Sequence, residues 1–377
     1  MATPVIVEAV RTPFGRENGV FADVRSEDLS IALVDEVLAR TGLSGDRIED
    51  LLWGCAQQRG EQGNNVARVV ALLSELGESV PASTINRWCA SSAEALARGA
   101  DAIAAGRRDC LLAGGVESMS RVPMGENTHN VHPVLGERYD LADLRMGATA
   151  ETVAREYDIT RLAQDEYALR SHERAAAATE SGRFDEEVVP VDTDDGTVET
   201  DEGIRPDTSL AQLAELPTVF ASDGTVTPGN ASQISDGAAA LLVTSRAFAD
   251  EHGLAPLAEV GAHEVAGVDP RVMGIGPVPA VRGLCGRTGR EPDDYDLVEL
   301  NEAFASQALY CQRELGLEDG VYNVNGGAIA LGHPLGATGA RLPVTLVHEM
   351  HRRGADPGLA TECVGFGQGM TIEFRLA

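Results

Sequence analysis

The chain has 377 residues, enough for two or more domains of ordinary size, and its 43 % hydrophobic and 4 % aromatic content is that of a globular protein. Thirty basic residues against 59 acidic ones give a net charge of −29, with no lysine anywhere, which argues against nucleic acid or an anionic membrane surface as a partner. No apolar run approaches the ~20 residues that span a bilayer, so membrane insertion is not expected.

The acidity is spread along the chain, not gathered in one tail, and reads as a solvated surface of the kind that keeps a protein soluble in concentrated salt. An anionic substrate would have to be met by arginine or by backbone N–H groups. The segment from Met1 to Glu8 reads as a first strand and lacks the basic-then-apolar pattern of a secretory signal, so a cytoplasmic protein is expected. Six cysteines, at 55, 89, 110, 285, 311 and 363, show neither a Cys-x-x-Cys pair nor zinc spacing, and are expected to be reduced thiols with no metal. Cys55, Cys110, Cys285 and Cys311 read as structural, which leaves Cys89 and Cys363 to be explained.

In chain order, strand signals at Val5–Val10, Leu51–Cys55, Ala82–Ile85 and Cys110–Gly115 alternate with helical ones at Leu29–Arg40, Val66–Leu73 and Ala90–Ala105. The alternation predicts an α/β layer structure on a largely parallel sheet. Cys89 falls between a strand and the first turn of a long helix. There it is either an inert buried thiol or a nucleophile whose pKa the helix end lowers. The small polar neighbours Asn86, Ser91 and Ser92 favour the second reading, by leaving room for a ligand.

Composition then shifts. Met, Pro, His and Asn cluster over 119–133, a helix is predicted over Leu162–Ser181, and Asp192–Asp207 is acidic and poorly periodic around an Asp-Asp-Gly turn. Ala238–Val243 returns to a buried strand, so the stretch reads as an excursion carrying substrate contacts. Thr225–Gly237, dense in hydroxyl and amide groups, reads as a capped turn into a helix or as a ligand contact.

From about Pro256 the pattern repeats: strands at Leu257–Val265, Leu297–Leu300, Tyr322–Val324, Leu359–Val364 and Thr371–Leu376, with helices near Val278–Arg287, from Ala303, and after Pro334. Asn301 closes a strand, where residues of open sheets face ligands. The glycine-rich run Asn325–Arg341 argues for close backbone approach, and places His333 where a buried strand gives way to a helix N-terminus. The repeated order points to an internal duplication, and a pseudo-twofold axis would bring Cys89 and His333 together. Gly365, Gly367 and Gly369 lack dinucleotide spacing, and His348-Glu349-Met350-His351 is one residue short of a zinc-protease motif. The boundaries expected are 1–118 with about 238–255 for one α/β half, 119–237 for an inserted loop domain, and 256–377 for the second half.

The motifs Asn86–Ser92, Gly114–Ser120, Met146–Glu151, Asn301–Phe304, Gly326–Arg341 and Cys363–Gly369 resemble those of the thiolase family, and the likeness runs from the first strand to Leu376. It implies two pseudo-symmetric α/β halves in five layers, αβαβα, plus an inserted loop domain. It further implies thiolytic cleavage of a 3-ketoacyl-CoA, with coenzyme A as co-substrate and no permanently bound cofactor. Cys89 would be the nucleophile and His333 its activator, with Asn301 fixing a water at the first oxyanion. Cys363 would be the acid/base, and the N–H groups of Cys89 and Gly365 the second oxyanion hole. Ser232, Arg205, Phe220 and Met146 would line the CoA groove. Ser92, Arg145, Gln233 and the Val324–Gly326 lead-in look more like degradative members than like a biosynthetic acetyl-CoA acetyltransferase, the alternative. A scaffold subunit without turnover would have lost a reactive residue. A homodimer or tetramer, and a β-oxidation partner subunit, belong to the same expectation.

Overall fold

The structure, a computed structural model, describes residues 2–124 and 131–377; six residues of the predicted 119–133 cluster, 125–130, lie outside the described residues. The first half runs β1 (Pro4–Arg11), a two-residue β2 (Gly15–Arg16), α1 (Ser26–Thr41), β3 (Leu51–Gly54), α2 (Val66–Leu73), β4 (Ala82–Ile85), α3 (Ser91–Ala104) and β5 (Cys110–Ser118). An excursion follows, with α4 (Pro133–Arg138), α5 (Met146–Glu156), α6 (Arg161–Glu180), the hairpin β6 (Val191–Thr193) and β7 (Gly196–Val198), and α7 (Leu210–Glu215). β8 (Ser235–Ser245) and α8 (Arg246–His252) return to the first half. The second half runs β9 (Ala258–Gly267), α9 (Pro277–Thr288), β10 (Leu297–Leu300), α10 (Ala305–Leu315), α11 (Ala328–Leu331), α12 (Leu335–Arg353), β11 (Gly358–Val364) and β12 (Gln368–Leu376).

The main sheet has the order β10-β11-β12-β9-β1-β8-β5-β3-β4. Outward from the short antiparallel β1/β9 contact the two arms match. β1, β8 and β5 are antiparallel neighbours and β5, β3 and β4 parallel ones; β9, β12 and β11 are antiparallel and β11 pairs β10 in parallel. The sheet is therefore mixed, not largely parallel. Each arm is parallel only toward its outer edge, because β5 is joined to β8 by the long excursion and β11 turns directly into β12. Where the first arm ends in β4, the second has only a parallel bridge between Val298 and Tyr322, so the predicted strand Tyr322–Val324 does not form. The duplication is plain in the topology.

α3 and α12 form the middle layer, between the two arms. α12 is buried from Leu335 to Met350, the pattern of a helix covered on every side. α3, rich in alanine, packs beside it, and their facing side chains join both arms in one core with Leu96, Leu111, Leu241, Leu346, Ile372 and Phe374. α1 and α2 cover the outer face of the first arm, and α9 and α10 that of the second, completing five layers. Among the described residues no helix is long and apolar enough to cross a membrane.

Thr225–Gly237 does not enter a helix. It leads straight into β8, and its polar groups are taken up internally: Asn230 Oδ1 accepts from Thr227 N at 2.8 Å, and Thr225 N donates to Glu151 at 2.8 Å. The acidic stretch after residue 190 contains the β6/β7 hairpin, turned by Asp194 and Asp195.

The N-terminus of α12 lies against strand backbone with no room for a side chain. A Cβ on Gly336 would sit 2.4 Å from Val116 O and 2.8 Å from Cys55 Cα. Gly336→Ala should therefore lower stability by roughly 1–3 kcal/mol through overpacking. Gly286, exposed near the end of α9 with open space around its Cα, should behave oppositely, Gly286→Ala gaining about 0.5–1 kcal/mol. Denaturant melts of the two variants against the parent check both signs.

Candidate active site

The turn before α3 sets Cys89. Trp88 has φ 48°, a left-handed conformation rare for a bulky residue and one that needs fixing by its neighbours. Asn86 supplies part of that: its Oδ1 accepts from Trp88 N at 2.8 Å and its Nδ2 donates to Ala56 O at 2.9 Å. Ser91 Oγ accepts from Arg87 N at 3.0 Å, and Ser92 Oγ accepts from Ala340 N at 2.8 Å, joining α3 to α12. These small polar side chains are thus engaged in the turn and in the helix contact.

Arg87 reaches across to Gln368 Oε1 at 3.0 Å, which couples the Cys89 turn to the loop after β11. That loop holds Cys363 at the end of β11, then Gly365 and Phe366. Phe366 is also left-handed, at φ 61°, and its ring lies 5.5 Å from that of Trp88. The N–H groups of Gly365 and of Cys89 itself both favour negative charge on the Cys89 sulfur. Cys89 and Cys363 are each buried and close enough for charge on one to disfavour charge on the other.

His333 does not follow a strand. The short helix α11 precedes it, and Gly332 at φ 113° makes the turn into Pro334 and α12. Its N–H donates to Ser235 Oγ and Gln233 O, both at 3.2 Å. The ring geometry fixes the tautomer. Thr338 Oγ1 gives its proton to Pro334 O at 2.9 Å, so it accepts from His333 Nδ1–H at 2.7 Å. The lone pair is then on Nε2, which accepts from Asn301 Nδ2 at 3.3 Å. Asn301 Oδ1 is buried and has no partner among the described residues, an acceptor placed to hold a water.

Asn301 is held through its neighbours. Asn323 clamps the backbone of Leu300 from both sides, at 2.8 Å each. Glu302 accepts from Tyr167 Oη, Ser171 Oγ, Asn323 Nδ2 and Ile329 N, at 2.6–3.2 Å. Tyr167 in turn bonds Tyr322.

The electrostatics correct the expectation of a lowered thiol pKa. Burial pushes Cys89 up to about 12, reinforced by the nearby Glu362, and the N–H groups of Gly365 and Cys89 offset only part of this. Cys363 is raised well above the ordinary thiol range, again first by burial. Burial, and to a lesser degree Arg341, takes His333 down to about 3. A low-dielectric interior penalises each ion separately, so burial favours the neutral form of the imidazole and of both thiols.

Met146 packs with the cluster around Cys89 (Ala56, Met119, Leu335) and with that around Cys363 (Ala303, Phe304), so it spans the two thiols. Phe220 is half-exposed and meets Phe304 edge-on at 6.2 Å, lying over Gly147, where any Cβ would overlap its ring. Ser232 is partly buried, its N–H donating to Ala303 O at 3.0 Å. Arg205 is exposed, its N–H donating to His172 Nδ1 at 3.2 Å. Sequence reasoning missed Thr338, which orients His333, and Glu117, whose carboxylate accepts from Ala56 N, Gln57 N, Gln62 Nε2 and Gly336 N at 2.6–3.0 Å. It also missed Glu362, although a charge in an otherwise apolar strand is a visible signal.

Comparison with known proteins gives a consistent picture. Residues 4–247 match the thiolase N-terminal domain and residues 254–375 the thiolase C-terminal domain. The chain is 48 % identical over 386 aligned positions to a 3-ketoacyl-CoA thiolase of Yersinia pestis (strain Pestoides F), and 47 % identical to one of Klebsiella pneumoniae; in both cases all of each chain is covered. A crystal structure of the Bacillus anthracis acetyl-CoA acetyltransferase superposes with a TM-score of 0.92 at 39 % identity, and one of human mitochondrial 3-ketoacyl-CoA thiolase with 0.92 at 38 %; each alignment covers 100 % of this chain and 99 % of the other. With both domain models matched and the duplicated halves in place, the chain belongs to the thiolase family, whose members are acyltransferases.

Proposed function

We propose that this protein cleaves 3-ketoacyl-CoA thiolytically, giving acetyl-CoA and a shortened acyl-CoA, with Cys89, His333, Asn301, Cys363 and Gly365 as its reacting centre. What carries the reading is likeness over the whole chain to 3-ketoacyl-CoA thiolases at 48 % identity. Localisation in the cytoplasm and assembly into a homo-oligomer belong to the same proposal.

The resting protonation states suit the chemistry. The Cys89 thiol attacks the 3-keto carbon as its proton passes to His333 Nε2, which the Thr338 contact keeps free of its own proton and from which Asn301 Nδ2 must withdraw. The new Nε2–H then faces the developing oxyanion, together with a water held on Asn301 Oδ1. The C2–C3 bond breaks, leaving the acyl group on Cys89, and the acetyl-CoA enolate takes its proton from Cys363. The resulting Cys363 thiolate removes the proton of an incoming CoA thiol, which attacks the Cys89 thioester; collapse of that intermediate breaks the acyl–Sγ bond, and the departing Cys89 sulfur takes its proton back from His333 Nε2–H. The N–H groups of Cys89 and Gly365 hold that second oxyanion, as they already favour charge on the sulfur. Burial raises both thiols, so neither thiolate persists beyond the step that needs it. On this reading 119–237 is the loop domain that carries CoA, with Met146, Phe220 and Ser232 along the groove and Arg205 toward the phosphates, since no lysine exists to face them.

Cys89→Ser should abolish thiolysis and condensation alike, and acetyl-CoA should label Cys89 in the parent; a stable acetyl group on another cysteine, read by mass spectrometry, would refute the assignment. Cys363→Ser should still accept an acyl group on Cys89 but lose about 10²–10⁴-fold in kcat, because a hydroxyl is a far weaker acid than a thiol. Single-turnover acylation set against steady-state rates separates the two steps.

The thiolysis rates of 3-ketoacyl-CoAs from about C4 to about C16 decide between the degradative reading and condensation to acetoacetyl-CoA: turnover confined to the shortest substrate favours the latter. The same assay tests the acidic surface. A charge of −29 repels itself in low salt, where the Debye length is ~30 Å at 0.01 M, and much less at 1 M, where it is ~3 Å. Melting temperature and assembly should rise from millimolar to molar potassium chloride, while the ranking of chain lengths at the buried site stays the same. A flat melt across that range would reduce the acidity to a solubility feature.

A further inference from the structure

β11 carries an ionisable group that the reaction above does not use. Glu362 is only 1 % exposed and projects into the middle layer, on the opposite side of the strand from Cys363. It lines a small internal cavity, roomy enough for about one water, with Ala93 of α3, Gly339 and Leu342 of α12, and Met370 and Ile372 of β12. Oε2 has no hydrogen-bond partner among the described residues. Oε1 lies over Gly339: a Cβ there would be 2.7 Å from Oε1 and 2.5 Å from Ala93 N. The carboxyl therefore faces the first turn of α3, the same helix end that Cys89 precedes.

The groups around it are few. Arg341 of α12 is the nearby cation, and it already pairs with Glu299 of β10 at 2.9 Å. Cys363 adjoins Glu362 on β11 itself, and Cys89 stands at the entry to α3. Glu94, further along α3, is taken up by Arg87 and Arg98. β12 contributes Met370, Thr371 and Ile372 to the cavity wall and β11 Thr361, and both threonine hydroxyls donate to backbone carbonyls, not to Glu362. Arg341 Nε and Nη2 have no hydrogen-bond partner among the described residues and attract the carboxylate from beyond hydrogen-bond range, but burial outweighs that attraction and pushes Glu362 well above the ordinary carboxylic-acid range.

We propose that Glu362 is a positioning residue for the reactive thiol: while neutral it leaves the N-terminal field of α3 to Cys89, and when it gives its proton to bulk water its charge opposes the Cys89 thiolate. Cys363 feels the same charge. Glu362 thereby limits thiolate formation at alkaline pH, keeping the thiols protonated until a substrate-linked transfer occurs. This rests on Cys89 being the nucleophile, but the test below reads Cys89 directly and does not need turnover.

The test is the rate of Cys89 alkylation by iodoacetamide, followed by peptide mapping from about pH 6 to about pH 9.5, in parent and Glu362→Gln. Where Glu362 is protonated in the parent, the two rates should agree within about twofold. As Glu362 ionises, the parent should fall behind and the ratio should reach about tenfold or more, the effect of one unit in thiol pKa. Glu362→Met, which removes both charge and hydrogen bonding, should follow Glu362→Gln and provides a second reading if the amide disturbs the cavity. A ratio independent of pH in both variants, whether unity or a constant offset, would overturn the proposal. Retained turnover in Cys89→Ser would count against the thiolase assignment of Cys89 alone, so the two failures are distinguishable.

Discussion

The carboxylate of Glu117 is the contact on which the rest of the site depends. It accepts four hydrogen bonds within 2.6–3.0 Å. Three come from the Ala56–Gln62 segment of the first half, and one from Gly336 N in the first turn of α12, in the second half. Burial alone would raise this carboxyl strongly, and the N–H donors oppose that. Loss of the carboxylate would strand buried donors on both sides, each costing about 1–3 kcal/mol. The consequence is mechanical as much as energetic. His333 rides three residues before Gly336, so the carboxylate that seats α12 also sets the distance at which the imidazole stands from the first half.

The second constraint is dryness. Helix ends, glycines and close packing bring two thiols and an imidazole into one interior, where charge on any of them is expensive. Cys89 at about 12 and His333 at about 3 lie outside the range in which either would be ionised at neutral pH. A surface cysteine at a helix N-terminus gains from the dipole because water already stabilises its thiolate. Here desolvation is the largest effect on Cys89, ahead of the N–H groups that favour its charge. On the proposed mechanism reactivity comes from proton transfer coupled to attack, for which a fixed tautomer matters. Thr338, Pro334 and Asn301 together determine which nitrogen carries the proton and where the lone pair points.

How far this could be read from the sequence follows from the range of each interaction. Cys89, Asn301, His333 and Cys363 stand out in the sequence because each ends a strand or precedes a helix inside a dense glycine or small-polar motif, a local signal. The repeated order of strands and helices was legible too, since hydrophobic period is local. Sheet direction was not: β5 and β8 become antiparallel neighbours across more than a hundred intervening residues, and nothing in either strand announces its partner. Thr225–Gly237 misled because capping residues satisfy backbone equally well in a turn that enters a strand. Asn86, Ser91 and Ser92 have structural uses that a local reading does not show: Asn86 and Ser91 are bonded within the Cys89 turn, and Ser92 holds α12. Glu362 was visible as a residue and invisible as a problem, because its burial depends on Gly339 and Ala93 from two other elements.

The duplication shows how one architecture came to carry two different chemistries. Register aligns the halves: Leu51 of β3 pairs with Leu112 of β5, and Leu297 of β10 pairs with Gly358 of β11. Five residues beyond those partners stand Glu117 and Cys363. Each closes an equivalent strand and each belongs to the surroundings of the other half's helix entry: Glu117 bonds the first turn of α12, and Cys363 is near Cys89 at the entry to α3. At one end the position is filled by a carboxylate with four donors, which can do nothing but hold. At the other it is filled by the Cys363 thiol, to which the proposed reaction gives the proton transfer. The pseudo-twofold axis supplies two equivalent junctions of strand end and helix end, and the difference in hydrogen-bond saturation between them decides which is scaffold and which can react.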